Sequence, residues 1–148
     1  MNKFMKMAIK EASKGIDENH GGPFGCVIVK DGKVVAKGHN EVVKRHDATC
    51  HGEMMALRKA MKKLETFDLT GCELYTTGEP CPMCQGAILW SNISKVYYGC
   101  NVKDTELIGF RDKKFFEFDK DKLLVELNRE ECLKLYEKYN NIKIKTGY

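Results

Sequence analysis

An α/β sandwich, one mixed sheet of five strands between helices on both faces (a three-layer α/β/α arrangement), is the architecture to which the local patterns point. Three observations carry it. Stretches with helical spacing alternate with short β-branched runs, in the order α-β-β-α-β-α-β-(α)-β-α. Two of the strand-like runs flank Asp31-Gly32, a strong hairpin signal. The chain has 148 residues, 43% hydrophobic and 31% charged, enough for one ordinary domain with a real core. No repeat, low-complexity tract or linker interrupts it, so residues 1–148 are expected to form a single domain.

The elements follow in order. Phe4, Ala8, Ile9, Ala12 and Ile16 repeat at helical spacing and predict a helix over 3–16, stopped by Gly15 and the stretch 18–23. Residues 26–29 and 33–36 form the hairpin strands, and the polar stretch 40–50 reads as a loop. Met54, Ala56, Leu57, Ala60, Met61 and Leu64 mark a second helix over 51–64. Its outer face, Arg58, Lys59, Lys62 and Lys63, is a solvated surface or a contact for phosphates. A turn at 68–71 leads into a central strand at 72–77. Pro82 suits the first turn of a third helix over 82–91, and 95–99 is a further strand. A short helix is expected near 105–108 and a last strand at 123–127. Asn128 is placed to cap a final helix at 129–139, with Leu133, Leu135, Tyr136 and Tyr139 as its stripe.

Composition narrows the function. A net charge of +4 does not demand an anionic partner. No apolar run approaches the roughly 18 residues that span a bilayer, so no membrane is implied. Lysines at positions 3 and 6 interrupt any signal-peptide core, and a cytoplasmic protein is expected. The seven cysteines cannot all pair within the chain; in a reducing compartment they are buried, metal-bound or reactive.

Two segments carry chemistry. His51-Gly52-Glu53 and Pro80-Cys81-Pro82-Met83-Cys84 each stand where a helix should begin, thirty residues apart from His51 to Cys81. Together they match the H-x-E … P-C-x-x-C signature of zinc-dependent nucleobase deaminases. Cysteines three apart on a first helical turn project to one side, near a helix dipole that favours thiolates. A neutral His51 adds a third ligand and leaves a fourth position open, as in a catalytic zinc site. Glu53 is near enough to move a proton there without being a ligand. A structural zinc would instead take a fourth protein ligand, for which Cys50 and Cys100 are available.

The chain resembles the cytidine deaminase superfamily over nearly its full length. The resemblance rests on Gly21-Gly22-Pro23-Phe24-Gly25, Gly38-His39-Asn40, the two metal segments and Gly86-Ala87-Ile88. It implies a five-stranded sheet, one zinc ion per subunit held by His51, Cys81 and Cys84, and hydrolytic release of ammonia with Glu53 as acid–base catalyst. The stretch from Asp104 to Asp112, with Phe115 and Phe116, resembles the bacterial guanine deaminase branch. In that branch the C-terminal segment is exchanged between the subunits of a homodimer and closes the partner's site. Residues 129–148, ending in Tyr148, correspond to that segment.

The resemblance further implies that Asn40 hydrogen-bonds the base, that Gly52, Phe24 and Trp90 line its pocket, and that Asp112 assists proton transfer. Each of these has a plainer reading: a turn residue for Asn40, core walls for Phe24 and Trp90, a solvated charge for Asp112. Glu79 reads as structural support. His20, His39 and His46 have no partner at metal spacing and are expected in loops or on the surface. Gly52, preceded by Ala48-Thr49, is closer to fungal cytosine deaminase, and Glu131-Cys132 resembles the cytosine and tRNA enzymes. The expected function is therefore guanine to xanthine plus ammonia on a small free base, with tRNA adenosine or cytosine deamination as alternatives.

Overall fold

The computed structural model describes residues 1–148, which divide into two compact units, Met1–Phe116 and Glu117–Tyr148. The first unit begins with α1 (Lys3–Asp17), whose N-terminus is capped by the Asn2 side chain accepting from the Phe4 and Met5 amides. The helix runs through Gly15 rather than stopping there. A Cβ at Gly15 would lie 2.7 Å from the His39 ring, so the glycine serves close packing, not termination.

β1 (Gly25–Lys30) and β2 (Lys33–His39) form the antiparallel hairpin. Asp31 and Gly32 both take positive φ (50° and 74°), the turn geometry that matches strand twist. The expected loop holds one short turn of helix, α2 (Val42–Arg45), before α3 (Gly52–Leu64). β3 (Cys72–Gly78), α4 (Pro82–Trp90) and β4 (Lys95–Cys100) then form a strand–helix–strand crossover with parallel strands. α5 (Val102–Leu107) lies three residues earlier than expected at its start, because Asn101 and Asp104 close a capping box there. α6 (Asp112–Phe116) ends the unit.

The sheet has four strands, in the order β2-β1-β3-β4. β1 is buried on both faces. Cys26 and Ile28 pack toward Ala56, Leu57, Ala60 and Ile88 of α3 and α4. Val27 and Val29 pack toward Ala8 and Phe4 of α1. Each fully buried aliphatic side chain of this kind contributes roughly 1.5–3 kcal/mol. Two glycines let the helices approach the sheet backbone: a Cβ at Gly25 would lie 2.1 Å from the Ala8 carbonyl of α1, and one at Gly38 would lie 2.7 Å from the Ala56 amide of α3.

The second unit holds a short 3₁₀ turn at Lys120–Lys122 and α7 (Arg129–Asn140). The expected strand at 123–127 is absent, and the predicted fifth strand is corrected to none. Its residues do not alternate apolar with polar, and this unit has no second strand to supply ladder partners. Leu123, Leu124, Val125 and Leu127 are all exposed. Asn128 does not cap α7 through its side chain, because its backbone is left-handed (φ 52°). No helix of the structure is long and apolar enough to cross a membrane.

The contact of Gly25 with α1 has a measurable consequence. Gly25→Ala is expected to cost about 2–3 kcal/mol in urea unfolding, since backbone must move to admit one methyl group. A loss below about 0.5 kcal/mol, the range of an ordinary surface substitution, would contradict the packing described.

Candidate active site and metal centre

His51 and Cys81 occupy the N-cap positions of α3 and α4, both with extended backbone. N-caps usually carry Ser, Thr, Asp or Asn to bond the first helical amides. Here neither side chain makes a capping bond, so both are available to each other. His51 Nδ1 lies 3.6 Å from Cys81 Sγ and 3.6 Å from Cys84 Sγ. Zinc bonded to sulfur at about 2.3 Å and nitrogen at about 2.05 Å, with a tetrahedral angle, separates such atoms by roughly 3.6 Å. The donor set, one imidazole and two thiols with all ligand atoms within 4.8 Å of one another, therefore fits zinc in chemistry and in spacing.

Glu53, on the first turn of α3, is 4% exposed. Its Oε1 accepts from the Thr76 hydroxyl at 3.0 Å, and its Oε2 accepts from the Cys84 thiol at 3.5 Å. Burial raises the Glu53 pKa, opposed by the Thr76 hydrogen bond and by the His51 charge. Thr76 thus aims the carboxylate from the centre of β3. Strand position alone did not mark it as a site residue; its signal is a hydroxyl at a buried position of a central strand, where a polar group needs a partner.

The sulfurs are unequal. The hydrogen bond from Cys84, then that from His51, draws the Cys81 pKa down to about 4 despite burial. The same Cys81 contact, with burial and Glu53, pushes the Cys84 thiol up. His51 is raised, first by its hydrogen bond to Cys81.

A cavity of about 470 Å³ opens beside these groups, lined in part by His51, Glu53 and Cys81. Phe24 and Phe110 meet edge to face at 5.0 Å on its wall. Asn40 also lines it; its Oδ1 accepts from the Val42 amide at 3.0 Å, which leaves the side-chain NH₂ to a ligand. Asp112 lines it from the start of α6, its pKa raised by burial and then by the Cys81 charge. Arg111, stacked over Phe115 at 5.3 Å, and Glu79 complete the part that sequence reasoning had not placed in the pocket. Glu79 also accepts from the Val102 amide at 2.8 Å, the supporting role expected of it.

Other expected site residues lie elsewhere. Gly52 stands behind the wall, where a Cβ would come 2.9 Å from the Phe24 carbonyl. Trp90 is 66% exposed and does not line this cavity. Six residues beyond Cys84, at about 100° per residue, place it roughly a third of a turn round the helix from the metal-facing side. Tyr148 belongs to the C-terminal unit. Cys50 is buried with its sulfur 3.7 Å from the Arg58 guanidinium, and it is not among the clustered ligand atoms.

Residues 1–100 match the family model for the cytidine and deoxycytidylate deaminase zinc-binding region. A guanine deaminase of Bacillus subtilis is 46% identical over 118 residues, which cover 79% of this chain and 76% of that protein. Its crystal structure superposes with a TM-score of 0.92 over 100% of this chain and 99% of the other. Identity over that superposition is 37%, the lower figure including the divergent remainder. A tRNA-specific adenosine deaminase of Buchnera aphidicola is 36% identical over 134 residues, 89% of this chain and 88% of that protein.

The fit of three donors to zinc is open to direct test. Cys81→Ala and Cys84→Ala are each expected to lose zinc on gel filtration, measured by elemental analysis, whereas Cys50→Ala keeps it. Zinc retained by Cys84→Ala, or lost from Cys50→Ala in a folded protein, would contradict the three-donor centre.

Proposed function

The chain belongs to the cytidine and deoxycytidylate deaminase family, and we propose that it hydrolyses guanine to xanthine and ammonia. The observation that carries this reading is the full-length superposition on a guanine deaminase, together with a base-sized pocket that contains a buried carboxylate beside the His51, Cys81 and Cys84 donors. A cavity of this volume lies in the ordinary range for small-molecule sites.

His51, Cys81 and Cys84 would hold one zinc ion per subunit. When bound, zinc supplies the Lewis acidity that makes water a nucleophile near neutral pH. The chain's own residues do the rest. Glu53, aimed by Thr76, takes a proton from the attacking water and delivers one to the departing amino nitrogen, so that ammonia leaves and the carbonyl of xanthine forms. The Asn40 NH₂ donates to an acceptor on the base edge. Phe24 stacks against the purine, and Gly52 lets the Phe24 backbone lie close to the start of α3. Asp112, its pKa raised by burial, hydrogen-bonds the amino group during transfer.

The assembly in this reading is a homodimer in which residues 129–148 close the partner's pocket, bringing Tyr148 to the base. The exposed apolar side chains Leu135, Tyr136, Tyr139 and Ile144 of the C-terminal unit support an assembly that covers them. Thiolate ligands suit a reducing compartment, and we place the enzyme in the cytoplasm.

The tRNA-specific relative supports a second reading, deamination of adenosine in tRNA. The two separate on substrates. Purified enzyme is expected to release ammonia from free guanine and not from tRNA, cytosine or adenine; release from tRNA alone would establish the second reading. Glu53→Gln is expected to lower kcat on guanine by about a thousandfold with zinc content unchanged. A variant with near-normal kcat would remove Glu53 from the mechanism.

A further inference from the structure

His20 and His39, nineteen residues apart and without metal spacing in the sequence, are brought together by the fold. His39 ends β2 and is buried; its Nδ1 lies 3.1 Å from Glu11 Oε2 on α1. Its Nε2 faces His20 Nδ1 at 2.8 Å. The ring centroids are 5.1 Å apart with planes at 18°. That separation is little more than the N···N distance plus two ring radii, so the rings lie edge to edge and their nitrogens face along one line. Glu41 brings Oε1 within 4.0 Å of His20 Nδ1.

We propose that this cluster binds a divalent transition-metal ion through His20 Nδ1, His39 Nε2 and Glu41 Oε1. Three features argue for it. The contact with Glu11 places the His39 proton on Nδ1 and turns the Nε2 lone pair toward His20, the carboxylate–histidine support found behind metal-bound imidazoles. Gly15 leaves room for that ring and holds it in place: a Cβ there would lie 2.7 Å from His39 Cδ2. Two imidazoles and a carboxylate suit zinc, cobalt, nickel or copper better than calcium or magnesium.

Geometry and charge set what binding requires. Two nitrogens on one tetrahedral zinc stand roughly 3.3 Å apart, so the rings must part by about 0.5 Å. His20 lies on the loop between α1 and β1 and is the one that moves. As the ion enters, the proton between the two ring nitrogens moves from His20 Nδ1 to its Nε2, which faces Glu18, and water completes the coordination. Glu41 must turn from Arg45 at 2.9 Å and Lys44 at 3.4 Å. Glu18, 3.2 Å from His20 Nε2, adds negative charge, and Lys37, 3.8 Å from Glu11, subtracts from it. His39 is buried and His20 half-buried, so an ion here acts as a clasp between the loop and the end of β2. Its ligands adjoin Gly21, Asn40 and Val42 of the pocket wall, so occupancy braces that wall without entering the cavity. The clasp does not depend on which base is deaminated.

The test uses the full chain carrying one zinc at the cysteine centre, titrated with Co²⁺ by calorimetry and followed by absorption. Wild-type protein is expected to take up one further Co²⁺ per chain and show ligand-field bands without thiolate-to-cobalt charge transfer. Its thermal midpoint rises with Co²⁺. His20→Gln and Glu41→Gln are expected to bind that second ion at least about tenfold more weakly, while keeping the first zinc and the wild-type midpoint without cobalt. The proposal is overturned if wild-type protein stops at one ion per chain in cobalt excess. It is equally overturned if a folded His20→Gln takes the second ion with wild-type affinity, or if the second ion shows a thiolate charge-transfer band.

Discussion

Two helix N-termini meet within bonding distance of a single ion, and the sheet forces them together. β1 is buried on both faces, so α3 must pack close over it, which Gly38 permits. β3 runs beside β1 and delivers the chain through Glu79 and Pro80 directly into α4. The first residues of α3 and α4 therefore share one location, and the donors His51, Cys81 and Cys84 come from those turns. Positive helix ends favour the thiolates there. The pocket, the buried Glu53 and the Thr76 hydroxyl behind it are all placed by the same packing.

That arrangement also explains why the site groups depart from their ordinary protonation. Cys81 is drawn down and Glu53 is pushed up in one small volume, by hydrogen bonding to neighbouring ligand groups in the first case and by burial in the second. A buried carboxyl whose pKa is raised takes up a proton more readily than a solvated one and is suited to carry a proton between water and the leaving group. A solvated glutamate at the same sequence distance from His51 would not be.

Much of this was legible in the residues. Helical periodicity located α1, α3 and α4, and Asp31-Gly32 located the hairpin, because these are local signals. The metal segments were legible because a thiol pair three apart and a His-x-Glu motif must each begin a helix to work. The strand expected at 123–127 was misread: five mostly apolar residues resemble a buried strand, but a strand exists only where another supplies its hydrogen bonds. The Thr76 support and the pairing of His20 with His39 join residues distant in sequence, and nothing local encodes them. Of the histidines expected in loops or on the surface, His20 lies in a loop and His46 is exposed, whereas His39 is buried at the end of β2.

The central claim is that the metal centre has three protein ligands and one position open to water. Zinc K-edge X-ray absorption on protein carrying one zinc per chain tests it most directly. The result expected is two sulfurs at about 2.3 Å with two nitrogen or oxygen neighbours at about 2.0–2.1 Å, one of them an imidazole and the other exchangeable on addition of a base analogue. A third sulfur, or a second imidazole in place of the exchangeable neighbour, would mark a closed structural site and contradict the account.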